Sequence, residues 1–154
     1  MDTLTALLEQ AEAERNLALA AFNQTRARCD AARAQAAQLD DHRAEYQLRW
    51  SAQFTRGAAL EIVRCYQGFA RRLDAAIAQQ AHAVALAQAA QARAGDTLTA
   101  HELRVASVRK LIERRMDAER RAAARHEQRS ADETAMRMAQ WRSDSGFGQR
   151  GARA

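Results

Sequence analysis

The sequence predicts an all-α fold: two long antiparallel helices forming a coiled-coil hairpin, the second helix longer and overhanging the first. Three observations predict it. The 154-residue chain has no proline and only six glycines, so little in it can turn the backbone. Alanine and arginine, both strong helix formers, dominate the composition. Apolar and small residues recur at alternating steps of four and three, the spacing of a coiled-coil seam.

The first helix is expected at about 3–55, a length of roughly 80 Å. Leu4, Leu8, Ala11, Ala18, Phe22, Cys29, Ala32, Ala36, Leu39, Tyr46 and Trp50 share one register, which Arg15, Thr25 and Arg43 interrupt. The chain reverses at about 56–58, around Gly57. A second helix follows at about 59–141, roughly 120 Å long, which leaves about 40 Å of it beyond the first. Its stripe begins with Ile62, Tyr66, Phe69, Leu73, Ala76 and Ile77. Val84, Leu98, Val105, Val108, Ile112 and Met116 continue it. Between 78 and 94 alanine occupies so many positions that no register can be chosen. Gly68 and Gly95 each cost roughly 1 kcal/mol relative to alanine, and Gly95 before Asp96 and Thr97 is the expected site of a bend. Residues 1–142 thus form one hairpin domain, and the polar, glycine-containing 143–154 is expected to be a disordered tail.

The overhang, from about Arg114 to Trp141, is dense in charge. Asp117–Arg121, Arg129–Glu133 and Glu133–Arg137 are opposite charges at i,i+4, each worth roughly 0.2–0.5 kcal/mol to a lone helix. A long unpaired helix is marginal by itself, so a partner-binding role stands level with a merely solvated one.

Several classes of function are disfavoured. Aromatic residues make up 5% of the chain, enough for a narrow seam but not for a thick, pocketed core. His42, His82, His101 and His126 have no histidine or cysteine at i+3 or i+4, so no metal site forms along a helix. No phosphate-binding glycine loop and no nucleophile motif is present. No catalytic residue, metal or cofactor is therefore expected. In the hairpin, Cys29 and Cys65 would lie roughly 30 Å apart along the axis, far beyond disulfide reach, so each is read as a small seam residue. The net charge of +5 comes almost wholly from arginines interleaved with acids. Solvated coiled-coil faces explain them better than nucleic-acid binding, although an arginine-rich nucleic-acid-binding coiled coil stays as an alternative of another class. No stretch approaches the roughly 20 apolar residues of a membrane span, and the N-terminus lacks a signal-peptide pattern, so a cytoplasmic protein is expected.

More specific residues lie near the turn. Leu39 to Tyr46, and then the run Tyr66-Gln67-Gly68-Phe69-Ala70-Arg71-Arg72-Leu73-Asp74-Ala75-Ala76-Ile77, resemble the FliJ family of flagellar export proteins. Near the end, Glu127-Gln128-Arg129-Ser130-Ala131-Asp132-Glu133 is similar to a signature of that family, and the resemblance covers roughly 4 to 141. It implies a cytoplasmic stalk of the type III export apparatus, similar to the γ subunit of rotary ATPases and peripherally associated with the inner membrane. The implied partners are the hexameric export ATPase (FliI-like), the membrane-embedded export gate (FlhA-like) and export chaperones, with no nucleic acid; pairing with a second copy through the alanine-rich seam stays open.

By position, the resemblance places gate binding on Gln35, Leu39, His42, Tyr46, Phe69, Leu73, Ala76 and Gln80. His42 stands where the family usually has tyrosine, and Gln80 where it commonly has histidine. ATPase binding falls on the terminal end, at Leu4, Leu8, Arg114, Arg121, Arg125, Glu127, Gln128, Arg129, Asp132 and Glu133. The equivalent stalk of a virulence injectisome would share the hairpin and differ in its partners. Independently of any family, Tyr46, Trp50, Tyr66 and Phe69 are more aromatics than one narrow seam needs, so some should face outward as interface anchors.

Overall fold

The computed structural model describes residues 2–150, with side chains to residue 146. It contains two α-helices, α1 (Asp2–Thr55) and α2 (Leu60–Arg150), packed against each other, and no strand among the described residues. The expected helix end at 141 and the tail over 143–154 meet a helix that continues to Arg150; residues 151–154 lie outside the described part.

The reversal rests on Gly57, which adopts φ +85°. That left-handed conformation ends helices readily only at glycine, because a Cβ would crowd the following carbonyl. The amides of Arg56 and Gly57 donate to the carbonyls of Gln53 and Phe54, at 3.2 and 3.1 Å, which closes the last turn of α1. The Ala59 carbonyl then accepts from Ile62 and Val63, and Glu61 places a negative charge in the first turn of α2, where it favours the helix dipole.

The chain divides into two units, Met1–Val105 and Ala106–Ala154. In the first, the seam predicted for α1 is on the packed side throughout. Ala11, Ala18 and Cys29 are buried, and Leu4, Leu8, Phe22, Ala32, Ala36, Leu39, Tyr46 and Trp50 are half-buried. On α2, Tyr66, Ala70, Leu73, Ile77, Gln80, Val84, Ala87, Gln91, Ala94, Leu98, His101 and Val105 form an unbroken alternation of four and three among residues shielded from solvent. This supplies the register between 78 and 94 that alanine conceals in the sequence, and it puts two glutamines into the seam. Gln80 is anchored there: its Nε2 donates to the Ala32 carbonyl at 2.9 Å.

Gly95 lies within the continuous α2, and a Cβ built on it would meet Cε2 of Phe22 at 3.4 Å, an ordinary van der Waals contact. One expectation is corrected. Cys65 is exposed, not part of the seam, and both cysteines are free. Arg43–Asp74 at 3.2 Å and Arg104–Glu14 at 3.1 Å bridge the helices across its margins, and His101 Nδ1 lies 3.8 Å from the same Glu14 carboxylate.

In the second unit, Val108 is buried and Ile112 half-buried, and residues 118–146 are exposed at every position. Of the three expected i,i+4 pairs only Glu133–Arg137 forms, at 3.7 Å. Asp117 turns to Arg120 at 3.8 Å instead of Arg121, and Glu133 pairs forward and not back to Arg129.

Candidate functional site

The turn end of the hairpin holds an aromatic cluster. Successive turns of α1 present Tyr46, Trp50 and Phe54 at four-residue spacing, and α2 presents Tyr66 and Phe69 opposite them. Tyr66 meets three of the α1 rings, with centroids 5.8 Å from Tyr46, 5.1 Å from Trp50 and 5.2 Å from Phe54. Phe69 approaches Tyr46 more closely, at 4.2 Å. Tyr46–Trp50 at 5.9 Å and Trp50–Phe54 at 5.5 Å join the rings along α1. Tilted and edge contacts of this kind add roughly 0.5–1.5 kcal/mol per pair beyond area burial, so the cluster locks the turn end as one body.

The cluster also has an open side. Phe69 remains 41% exposed and forms, with His42, Glu45, Tyr46, Arg49 and Leu73, a cleft of about 220 Å³. Its floor is apolar (Tyr46, Phe69, Leu73) and its rim is polar. Behind Tyr46, a gap of about 30 Å³ is bordered by Tyr66, Ala70 and the bridged Arg43 and Asp74. Such a cleft can hold one apolar side chain of a partner while Glu45 and Arg49 meet polar groups around it.

Of the eight residues expected to face the gate, His42, Tyr46, Phe69 and Leu73 share this cleft. Leu39 and Ala76 are half-buried, and Gln35 is exposed. Gln80 is not available in the same way, because its amide is committed to the Ala32 carbonyl. Glu45, Arg49 and Phe54 were missed. Their signal lay in the spacing: 42, 45, 46 and 49 fall on one helical face, and Phe54 follows Trp50 by four.

The residues expected to meet the ATPase fall in two groups. Leu4 and Leu8 are half-buried in the first unit. Arg114, Arg121, Arg125, Glu127, Gln128, Arg129, Asp132 and Glu133 are exposed in the second. There Ser130, Ala131, Thr134, Ala135 and Met138 make a shallow face of mostly small side chains beside His126 and Glu127.

Among the described residues, no group of three or more His, Cys, Asp or Glu could hold a metal ion, and no helix is long and apolar enough to cross a membrane. No curated protein and no solved structure matches the chain. The family model described as "Flagellar FliJ protein" does match it, over residues 1–143. The match spans the first helix, the turn, the aromatic cleft and most of the second helix, and by it the chain belongs to the FliJ family, components of the flagellar protein-export apparatus.

Proposed function

We propose that this protein is a non-catalytic stalk that docks on the export ATPase ring and on the export gate, promoting ring assembly and protein export at the cytoplasmic face of the inner membrane. The observation that carries the proposal is the cleft of His42, Tyr46, Phe69 and Leu73, set in an aromatic cluster of a hairpin that the family model matches over residues 1–143. A preformed apolar cleft loses little conformational entropy on binding, which suits an anchor for one partner side chain. The exposed, arginine-rich helix of the second unit supplies the ATPase contact, where charge speeds encounter and selects partners. Export chaperones are further partners on this reading. The chain moves no bond; its work is to bias a ring and a gate through contacts.

Hydrolysis and ring assembly by the export ATPase, with and without this protein, test the ATPase half. Full-length chain should stimulate both, and a version ending at Glu113, checked for helicity, should not. Absence of stimulation by the full-length chain contradicts the docking.

A further inference from the structure

The second unit carries a helix face that its own chain leaves uncovered. Positions 118–146 are exposed throughout. Along them Arg121, Ala124, Gln128, Ala131, Ala135 and Met138 recur at alternating steps of three and four, within roughly 100° of helical arc. Asp117 and Arg142 end the same stripe, about 38 Å apart. Arg125 and Asp132 flank it on one side, and Arg120, Glu127 and Trp141 on the other. Met138 is 61% exposed and Trp141 71%, so the bulkiest apolar groups of this face lie open to solvent.

We infer that this face pairs with the same face of a second copy, the two helices antiparallel and Ala124 of each opposite Ala135 of the other. The order of charges along the chain carries the inference. In that register Arg125 flanks Asp132 of the second copy, and two-fold symmetry makes the reverse pair as well. Arg142 comes opposite Asp117 of the second copy, again twice. Arg120 comes beside Trp141 of the second copy, where a guanidinium stacks on an indole face. Arg125 and Arg142 have no ion pair among the described residues, and Asp117 reaches its own Arg120 only at 3.8 Å. The Gln128 amide holds the Asp132 carboxylate at the edge of the stripe, at 3.2 Å. A parallel pair would instead set Arg121 against Arg121, Asp117 against Asp117, Arg125 beside Arg120 and Asp132 beside Glu127. Sliding the antiparallel pair by one heptad sets Arg125 against itself in one direction and Asp132 against itself in the other. One arrangement therefore matches opposite charges, and the others juxtapose like ones. The small side chains of the shallow face at Ala131 and Ala135 let the two backbones approach closely. Pairing covers Arg121 and Arg125, so a paired chain and an ATPase-docked chain are alternatives; the pairing itself does not depend on that docking.

Sedimentation equilibrium of the full-length chain between about 1 and about 300 µM, at about 50 mM salt, reads the pairing. The wild type should move from monomer towards dimer over that range. Arg125→Glu and Asp132→Arg should each weaken the dimer about tenfold, because two attractions become two repulsions. Their net-charge changes are opposite, so a common loss is not an effect of total charge. The double variant R125E/D132R rebuilds the pair in reverse and should return to within about threefold of the wild type. Both positions are exposed, and circular dichroism checks that every variant keeps wild-type helicity. A wild type that stays monomeric overturns the inference and leaves the face to a different partner. Single variants that pair as well as the wild type overturn it by placing the dimer on another surface. Single variants that pair better overturn it by showing parallel helices. A double variant as weak as the singles also overturns it, because the two residues then do not meet.

Discussion

Tyr46 on α1 and Phe69 on α2 bring their rings to 4.2 Å between centroids, yet Phe69 stays 41% exposed. One ring therefore serves two purposes: its inner face clamps the hairpin, and its outer edge forms the cleft. Tyr46 is the more enclosed member, touching Trp50 and Tyr66 as well. Tyr46→Ala should lower stability by about 2–4 kcal/mol and Phe69→Ala by about 1–2 kcal/mol. Urea unfolding followed by circular dichroism measures both, and equal losses would contradict the division of labour.

Gln80→Ala should reduce stability by about 0.5–1.5 kcal/mol, the worth of its bond to the Ala32 carbonyl, because that carbonyl keeps its place in the α1 ladder. It should leave gate binding unchanged, since the amide faces the seam. A gate-binding defect in a stably folded Gln80→Ala protein would show that the side chain leaves the seam to meet the partner.

Two glycines should respond in opposite directions. Gly57→Ala places a Cβ at φ +85° and should destabilise by about 1–2 kcal/mol. Gly95→Ala adds a methyl 3.4 Å from the Phe22 ring edge, within contact distance, and should stabilise by about 0.5–1 kcal/mol through helix propensity. Thermal melts of the two single variants decide this. A destabilised Gly95→Ala would mean the Phe22 ring cannot yield.

The bridge from Glu14 to Arg104, with His101 nearby, joins half-exposed groups. Glu14→Gln should cost about 0.2–1 kcal/mol at low salt and almost nothing at about 1 M. A larger, salt-insensitive loss would point to packing instead of charge.

The α1 seam was legible because its large residues recur with few competitors: Leu4, Leu8, Phe22, Leu39, Tyr46 and Trp50 leave one face to bury. Between Ala78 and Ala94 the same logic fails, since alanine is compatible with every face; the packed structure decides there by enclosing Gln80, Val84, Ala87 and Gln91. Cys65 was misread because its burial was inferred from size and not from register. The choice of Asp117 for Arg120 over Arg121 was likewise hidden, because i,i+3 and i,i+4 spacing permit both pairs. Half of the expected gate face converged on the cleft, while Glu45 and Arg49 were overlooked because charged rim positions resemble any solvated helix face.

The most direct test of the account is a paired binding measurement on folded full-length proteins: Phe69→Ala and R114Q/R121Q/R125Q/R129Q, each against the export ATPase and against the soluble domain of the export gate. Two separate docking surfaces predict that Phe69→Ala loses at least about tenfold in gate affinity, about 1.4 kcal/mol, and keeps the ATPase. The arginine variant should do the reverse. Loss of both partners by either variant, or of neither by both, would contradict a stalk with two separate docking surfaces.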